Sequence, residues 1–563
     1  MSYDFRKLVE DRNSKHGLML MPQAIDWIQG TWEDPEQLHE ELFIEYQRMT
    51  GLALTSSLTG QYDFYCDAIV QHLGSNKTAL SFVKADGEVE DWSYEKLHKC
   101  VNYQVQRWNG FELHPGDQIV IASPMDETFF VAYLTALRLG LKICYLPTNS
   151  EEISSAHLLF KLYEMQPKAV VTSHSKMILE EHIRLILLEE FPLSDNNYSP
   201  TSHAYAQEET VHVNLTVYYK DFHHPHPSNA KTSYLHALRD GMMLFHLKPG
   251  MTICDPMAST LSHQPYLTLT TLLCGARLVV VSDDDLKADP SLLKSTKIHV
   301  LGVSKKLQDL WTYNSGMPTG SLKHIYKSPF NQDLQAWLGF KQMNKIEKVP
   351  TVNLLIDNAG GGVTLFSKPS PEMPDNFLLP NLGTAWALYD MNDSGALAID
   401  NYGVFESNRH KSNLFIAKIN SEYVISSSVV PARYGKPYPI EHVECAVNAM
   451  QEFHQCVIYS VPTTGQIASN TFLLIVFTGP VAEDVIEMQR SKWIEDIEFR
   501  IGRLVGKEHV PDKIEFYPFI PQLKDGMVDR NWACAQYSRG LLHKKKQLPI
   551  YQTLGQLQKL AKG

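Results

Sequence analysis

Residues 218–236 read YYKDFHHPHPSNAKTSYLH, and they separate two segments of different character. Before them, the run from Val211 to Tyr219 is apolar and strand-like, and after them a helical run ends at Leu247-Lys248-Pro249-Gly250. Three histidines and two prolines stand at the centre of the stretch. Proline fixes the backbone and removes an N–H donor, so we predict an exposed, solvated loop between a strand and a helix.

Outward from this stretch, the chain alternates short apolar strands with amphipathic helices. Ser93 is placed to cap a helix that carries Leu97, Val101, Val105 and Trp108 on one face. A second helix, from about residue 126 to 139, ends at Gly140 before a strand at 143–146. Strand, helix, glycine and strand in this order form a βαβ unit, which predicts an α/β fold with parallel sheets covered by helices.

The composition changes near Tyr434. From there, one helix, two strands, a long helix at 482–505 and a strand at 513–517 predict a small α+β domain. We therefore expect an N-terminal extension at 1–56, a large domain at 57–430 and a small mobile domain at 431–563. The extension contains one helical pattern, from Asp34 to Tyr46, and no evident chemistry.

The composition of the 563 residues is that of a globular protein, with 44% hydrophobic and 20% charged residues. A formal charge of -12 argues against nucleic acid as a partner. Eight scattered cysteines without a CxxC pair, no signal peptide pattern and no long apolar run predict a cytoplasmic protein without a transmembrane segment. The basic tail after Leu541 is interpreted as a solvated helix end rather than a membrane-surface contact.

Several short segments carry a family resemblance. TALSF (78–82) leads to WSYEKL (92–97), and HPGDQIVIASP (114–124), LKPGMTICDPM (247–257) and LLCGARLVVV (272–281) follow in order. Together with VPDKIEFYPFIPQLKDGMVDRNW (510–532), they resemble the adenylate-forming superfamily of acyl-CoA synthetases, fatty acyl-AMP ligases, adenylation domains and luciferases. The resemblance implies a large domain, a hinge and a small rotating domain. It also implies ATP and magnesium as cofactors, an acyl or carboxylate substrate, and coenzyme A as a possible acceptor.

The family's phosphate loop reads roughly Thr-Ser-Gly-Thr-Thr-Gly-x-Pro-Lys, and residues 223–231 occupy its place. Lys231 matches the lysine, but histidines and prolines replace the glycines and hydroxyl residues. Backbone amides and small side chains are what a phosphate cradle requires, so this stretch is a poor phosphate site. A zinc site at His223, His224 and His226 is an alternative that we favour less than the exposed loop.

The family's Tyr-Gly-x-Thr-Glu motif falls on residues 361–365. Gly361 replaces the aromatic residue, Gly362 and Thr364 are kept as nucleotide-binding candidates, and Leu365 replaces the glutamate that holds magnesium. A leucine cannot ligate a hard cation, so no metal ligand is assigned. The ribose-binding Thr-Gly-Asp segment has no counterpart.

The family's C-terminal signature is similar to residues 520–530. Gly526 and Arg530 fall in register as nucleotide-site residues, whereas Met527 stands at the position of the catalytic lysine. Methionine carries neither charge nor donor, and the loss of such a cation typically costs on the order of 10² to 10³ in rate. Lys524, three residues earlier, is the candidate substitute.

Three hypotheses follow. The preferred one is a superfamily protein whose adenylation is lost or impaired, and which binds an acyl group, a carboxylate or a protein partner. The second is an active acyl-AMP or acyl-CoA ligase that uses replacement residues. In the third, His263, similar in place to a pocket-lining histidine of the family, serves as a base for ATP-independent acyl chemistry. We prefer the interpretation that His263 is a hydrogen-bonded residue of the core or of the pocket wall.

Overall fold

The fold was analysed in a computed structural model. It describes residues 35–148, 162, 165–173, 183–188, 201–218, 221–258, 263–313, 316–318, 320–328, 334–357, 362–367, 378–381, 383, 386–389, 402–407, 410–419, 422–428, 432–433, 436–462, 470–524 and 527–546. The chain divides into two compact units. The first contains Met1–Glu152, Met165–Tyr219 and His223–Ser427, and the second contains Ile153–Glu164, Lys220–Phe222 and Ser428–Gly563.

The larger of two sheets in the first unit has 13 strands, and its central strands are parallel. In chain order, the strands are β1 Thr78–Val83, β2 Val89–Ser93, β9 Thr252–Cys254, β10 Arg277–Val281, β11 Val300–Gly302, β12 His324–Lys327, β13 Thr351–Asp357, β14 Gly362–Ser367, β15 Leu378–Pro380, β16 Trp386–Tyr389, β17 Tyr402–Ser407, β18 His410–Ile419 and β19 Glu422–Ser428. They are arranged as β16-β17-β18-β19-β15-β14-β13-β12-β11-β9-β10-β1-β2.

The second sheet of this unit has six strands in the order β6-β5-β3-β4-β7-β8. Its members are β3 Gln118–Ser123, β4 Lys142–Pro147, β5 Ala169–Thr172, β6 Arg184–Leu187, β7 Thr210–Tyr218 and β8 Asp221–Asn229. Strand β3 is parallel to both β4 and β5. Parallel strands with buried faces confirm the predicted α/β class.

Helices cover these sheets. In chain order they are α1 Pro35–Thr50, α2 Thr55–Thr59, α3 Phe64–Ala68, α4 Tyr94–Trp108, α5 Glu127–Leu139, α6 Ala230–Met243, α7 Tyr266–Leu273, α8 Asp283–Ala288, α9 Lys305–Tyr313 and α10 Leu334–Met343, with 3₁₀ turns at Val70–His72 and Asn109–Phe111. Ser93 caps α4 by accepting from the Lys96 amide, and Gly140 ends α5 with a φ of 77°. Helix α1 buries Leu38 and Leu42 in the main core of this unit.

The opening stretch folds differently from the predicted loop, because Asp221–Asn229 is strand β8. This strand is the last in the six-stranded sheet, and prolines are tolerated at such an edge because one side of an edge strand needs no ladder hydrogen bonds. Pro225 and Pro227 are therefore compatible with this strand, because it forms the edge of the sheet. The side chains of His223 and His224 lie outside the described part of the structure.

The second unit is built on a three-stranded sheet of β22 Gln455–Pro462, β23 Asn470–Phe477 and β24 Lys513–Tyr517. Its other elements are the short pairs β20 Ala432–Arg433 with β21 Lys436–Pro437 and β25 Leu523–Lys524 with β26 Met527–Val528, the helices α11 Ile440–Asn448, α12 Glu483–Leu504, α13 Arg530–Ser538 and α14 Leu541–Lys546, and a 3₁₀ turn at Lys507–His509. Val443, Leu474 and Ile501 join the helices to the sheet in one apolar core.

Among the helices that the structure describes, none combines the length and the apolar character needed to cross a bilayer.

Candidate functional site

A cleft of about 810 Å³ opens at the carboxyl ends of parallel strands in the first unit. Ligands of open α/β sheets bind at this end of the strands, and the volume lies within the usual range for small-molecule sites. Strand β1 contributes Phe82 and strand β10 contributes Leu278, but both are almost completely buried. The lining is mixed, because apolar residues alternate with the charged side chains Lys84, Asp126, Glu127, Asp255, Asp283, Asp284, Asp285, Lys287, Lys305 and Lys306. Lys84 and Glu127 form an ion pair at its rim.

His263 and Asp255 form a close pair beside this cleft. The Nδ1 atom of His263 lies 2.5 Å from the Oδ2 atom of Asp255, which is itself a lining residue. The Asp255 side chain is 5% exposed, and the imidazole is 21% exposed. A Cβ atom at Gly302 would overlap the other carboxylate oxygen, so glycine leaves room for it. The histidine is therefore hydrogen-bonded, and it is oriented by a buried carboxylate.

Lys231 lies in the first turn of α6, where the family places its phosphate loop. The backbone amides of Ala230 and Lys231 donate to the carbonyl oxygens of Glu209 and Gln207, at 2.8 and 3.1 Å. The side chain of Asn229 accepts from the Thr232 amide at 2.9 Å. The first three amides of the helix are thus occupied by the protein's own oxygen atoms, which are the groups that an anion would otherwise contact.

An acidic side chain also lies at this helix start. The Nδ2 atom of Asn229 donates to Glu208 Oε2 at 3.0 Å. A carboxylate at the position of a bound phosphate would repel it, because like charges at short range destabilise each other. The described residues around Lys231 therefore do not fit a polyphosphate.

Strand β14 carries the second set of predicted nucleotide residues. Thr364 is 1% exposed, and its hydroxyl donates to the Leu355 carbonyl at 3.3 Å. Leu365, at the position of the family's magnesium ligand, is completely buried. Gly362 adopts a φ of 109°, and a Cβ atom there would overlap the Tyr266 ring. All three residues serve internal packing, and a leucine in the core offers no oxygen to a magnesium ion.

A buried charge network holds β14 in place. The Asp240 carboxylate accepts from Arg239 Nε at 2.7 Å, from Asn381 Nδ2 at 2.7 Å and from the Val363 amide at 2.9 Å. The Tyr266 hydroxyl donates to it as well. Asp240 and Arg239 are 0% and 1% exposed. Burial of an ion pair requires such complete hydrogen bonding, so this network fixes β14 against α6.

The two sets of nucleotide candidates are associated with different parts of α6. Lys231 starts α6, whereas Asp240, which contacts β14, lies nine residues further along the same helix. At 1.5 Å per residue, these positions are about 13 Å apart along the axis. Gly361 lies outside the described residues.

The remaining predicted residues lie in the second unit. Strands β25 and β26 pair antiparallel, and Lys524 stands directly opposite Met527. Cα atoms of such a pair are typically about 4.5–5.5 Å apart. Gly526 lies outside the described residues, as do the side chains of Lys524 and Met527. Arg530 Nη2 donates to Glu444 Oε2 at 2.6 Å within this unit.

Two groups at the ends of the central strands are absent from the sequence-based candidates. Asp255 directly follows buried β9, and a carboxylate at the end of a parallel strand is a signal that could have identified it. Lys327 ends β12 with its Nζ atom 4.5 Å from the centre of the Trp337 ring, and burial lowers its pKa to about 8. Within the described ranges, no cluster of three or more histidine, cysteine or acidic side chains could hold a metal ion.

Three solved structures share this architecture. Acetoacetyl-CoA synthetase from Streptomyces lividans matches with a TM-score of 0.59 at 12% identity, over 99% of this chain and 97% of that one. An artificially fused adenylation–PCP di-domain, NpsA-ThdA from Klebsiella oxytoca, matches with a TM-score of 0.57 at 12% identity, over 80% and 93%. McyG A-PCP complexed with phenylalanyl-adenylate matches with a TM-score of 0.56 at 10% identity, over 86% and 84%.

Sequence comparison adds a short match. The nonribosomal peptide synthetase sidC of Arthroderma benhamiae is 30% identical over 132 residues, which are 22% of this chain. The matched part is 2% of that relative's length. No family model matches the chain. Because the structural matches extend over most of both chains, the chain shares the fold of these three proteins.

Proposed function

We propose that this chain is an adenylate-forming ligase-like protein in which ATP-dependent carboxylate adenylation is lost or strongly impaired. The observation that carries the proposal is the start of α6. The amides of Ala230, Lys231 and Thr232 are occupied by oxygen atoms of the same chain. A polyphosphate would have to displace all three contacts and approach the Glu208 carboxylate, at a cost in binding free energy.

The environment of β14 supports the same proposal independently. Magnesium prefers oxygen ligands in an octahedral arrangement, and Leu365 supplies none. A change of this residue to glutamate alone would introduce a carboxylate into a position that is completely buried. We therefore infer that a single substitution at Leu365 would not restore a magnesium site.

What remains is the cleft, which we propose binds an acyl or carboxylate small molecule. Met125 and Val281 are partly exposed lining residues, and they offer an apolar surface that suits a hydrocarbon chain. Acyl binding is compatible with a regulatory role in which a protein partner recognises the acyl-bound form of this chain. We also propose a cytoplasmic location, which agrees with the absence of a disulfide among the eight cysteines.

An active ligase is the second candidate, and the hairpin of β25 and β26 favours it. Lys524 stands opposite Met527, so a lysine lies next to the position of the family's catalytic cation. In this case ATP and magnesium would bind, Lys524 would supply the charge, and coenzyme A could accept the acyl group. Fold alone does not decide between the two functions.

Thermal unfolding with and without 1 mM ATP and magnesium tests the proposal. A site with a Kd of about 10 µM would stabilise the folded protein by about 2.7 kcal/mol at this concentration. We expect no shift in the wild type or in Met527→Lys. The control is Met488→Lys, because Met488 is a methionine of the same unit and is 74% exposed.

A shift of several degrees in the wild type, with pyrophosphate release on addition of carboxylic acids, would refute the proposal. Loss of that activity in Lys524→Met, but not in Lys492→Met on α12, would then establish the second candidate. A shift and activity that occur in Met527→Lys but not in Met488→Lys would instead mean that one residue silences an intact site.

A further inference from the structure

We propose that His263, oriented by Asp255, is the general base of an ATP-independent hydrolysis of acyl esters or thioesters in the cleft. The inference goes beyond the proposed function, since it requires neither nucleotide nor metal. It starts from the pair itself, in which Nδ1 and Oδ2 are 2.5 Å apart. In the tautomer in which Nδ1–H donates to the Asp255 carboxylate, the neutral imidazole presents Nε2 as its proton acceptor.

The carboxylate is held in a fixed place, as an orienting group requires. Asp255 is 5% exposed and directly follows strand β9, which lies between β11 and β10 inside the 13-stranded sheet. The backbone of Gly302 on β11 packs closely against the Oδ1 atom of Asp255. The Tyr326 ring lies beside the same glycine. A rigid strand end on one side and a close backbone on the other leave the side chain little freedom.

The surroundings suit an acyl substrate. Asp255 and Gln264 line the cleft, and His263 is next to it because it pairs with the first and precedes the second in the chain. Leu267 and Val280 belong to the apolar part of the lining. The imidazole is 21% exposed, which leaves room for water. A buried carboxylate, a histidine that is 21% exposed and a neighbouring cleft are parts that general-base hydrolysis of an acyl group uses.

The proposed step balances with water as the second reactant. His263 Nε2 accepts a proton from water while the water oxygen forms a bond to the acyl carbonyl carbon. The C–S or C–O bond of the substrate then breaks, and the imidazolium returns the proton to the leaving thiolate or alkoxide. The products are a carboxylic acid and a thiol or alcohol. Asp255 remains ionised throughout and acts as a positioning residue.

The test uses the full chain without nucleotide, with 4-nitrophenyl butyrate, octanoate and laurate, and with the coenzyme A thioesters of the same acids. We expect hydrolysis above the buffer rate for at least one acyl length. His263→Gln should lower kcat by roughly 10²- to 10⁴-fold with little change in KM, because a base acts in the transition state. Asp255→Asn should lower kcat as well, by a smaller factor.

The matched control is His203→Gln. His203 also pairs with a carboxylate, Glu209, at 2.9 Å, and its side chain is 24% exposed, but Glu209, unlike Asp255, does not line the cleft. This variant should keep the wild-type rate. Thermal unfolding of each variant checks that the fold is retained. A further variant, Gly302→Ala, places a methyl group against the Asp255 carboxylate and should lower kcat although His263 is unchanged.

Absence of hydrolysis with all six substrates would overturn the inference, and so would equal kcat values in His263→Gln and His203→Gln. Neither result would affect the proposed loss of adenylation, which is decided by ATP binding and pyrophosphate release.

Discussion

Replacement of Asp240 by asparagine tests whether the network around β14 holds this strand by a buried charge. The Oδ1 atom accepts from Arg239 Nε and Asn381 Nδ2, and the Oδ2 atom accepts from Arg239 Nη2, the Val363 amide and the Tyr266 hydroxyl. An asparagine amide carries an NH₂ group on one of these two positions. In either orientation at least two donors face a donor, and Arg239 loses its counter-ion.

The expected cost follows from these contacts. Each buried donor without an acceptor costs about 1–3 kcal/mol, and removal of one partner of a buried ion pair costs about 3–5 kcal/mol. These figures describe overlapping losses, so we expect the free energy of unfolding of the first unit to fall by about 4 kcal/mol. With a urea slope of about 3 kcal/mol per molar, the unfolding midpoint should fall by roughly 1.3 M.

Urea unfolding, followed by hydrogen exchange of peptides from Thr351–Asp357 and Gly362–Ser367, measures this change within the first unit. The control is Asp284→Asn, because the Asp284 side chain is 89% exposed and its ion pair with Lys287 should contribute less than about 1 kcal/mol. If both variants unfold at the same urea concentration, the carboxylate of Asp240 is not the group that fixes β14, and the reasoning above is wrong.

Three further changes have definite expected outcomes. Burial lowers the pKa of His212 to about 3, so the folded protein keeps this imidazole neutral while the unfolded chain binds a proton below about pH 6.5. The stability from this group is therefore complete above pH 6.5 and falls as the pH drops towards 3, and urea midpoints at pH 7 and 5 should differ less in His212→Gln. Arg530→Ala breaks the contact with Glu444, and we expect the second unit to lose about 1–3 kcal/mol in urea unfolding, whereas unchanged unfolding would contradict a structural role. Gly362→Ala must fit a Cβ atom against Tyr266 at a positive φ, so its melting temperature should fall clearly, unlike that of Gly339→Ala, where nothing lies within 4 Å.

The sequence predicted the elements whose signals are local. Strand Lys513–Tyr517 has the bounds expected from its apolar run, Ser93 caps the start of its helix, and Gly140 follows the end of the next one, as expected. Caps and strand patterns depend on residues within one or two turns, so the chain itself carries that information. The α/β class followed from the order of these elements.

The edge strand at Asp221–Asn229 could not be predicted in this way. Its histidines and prolines indicate a loop when they are considered alone, and only the position at the border of the six-stranded sheet makes a strand compatible with them. Strand order is a property of the assembled sheet, and the local sequence does not contain it.

The same distinction between local sequence and assembled structure applies to the candidate site. From the sequence by itself came the prediction that Met527 and Leu365 match the family's cation and carboxylate, because a resemblance needs only residue identity and register. Only the tertiary structure decided that Asp240 binds Asn381, 141 residues away, and that Asp255 orients His263 under the backbone of Gly302. Such contacts form when remote strands and helices pack together, and they depend on angles and distances that no local pattern specifies.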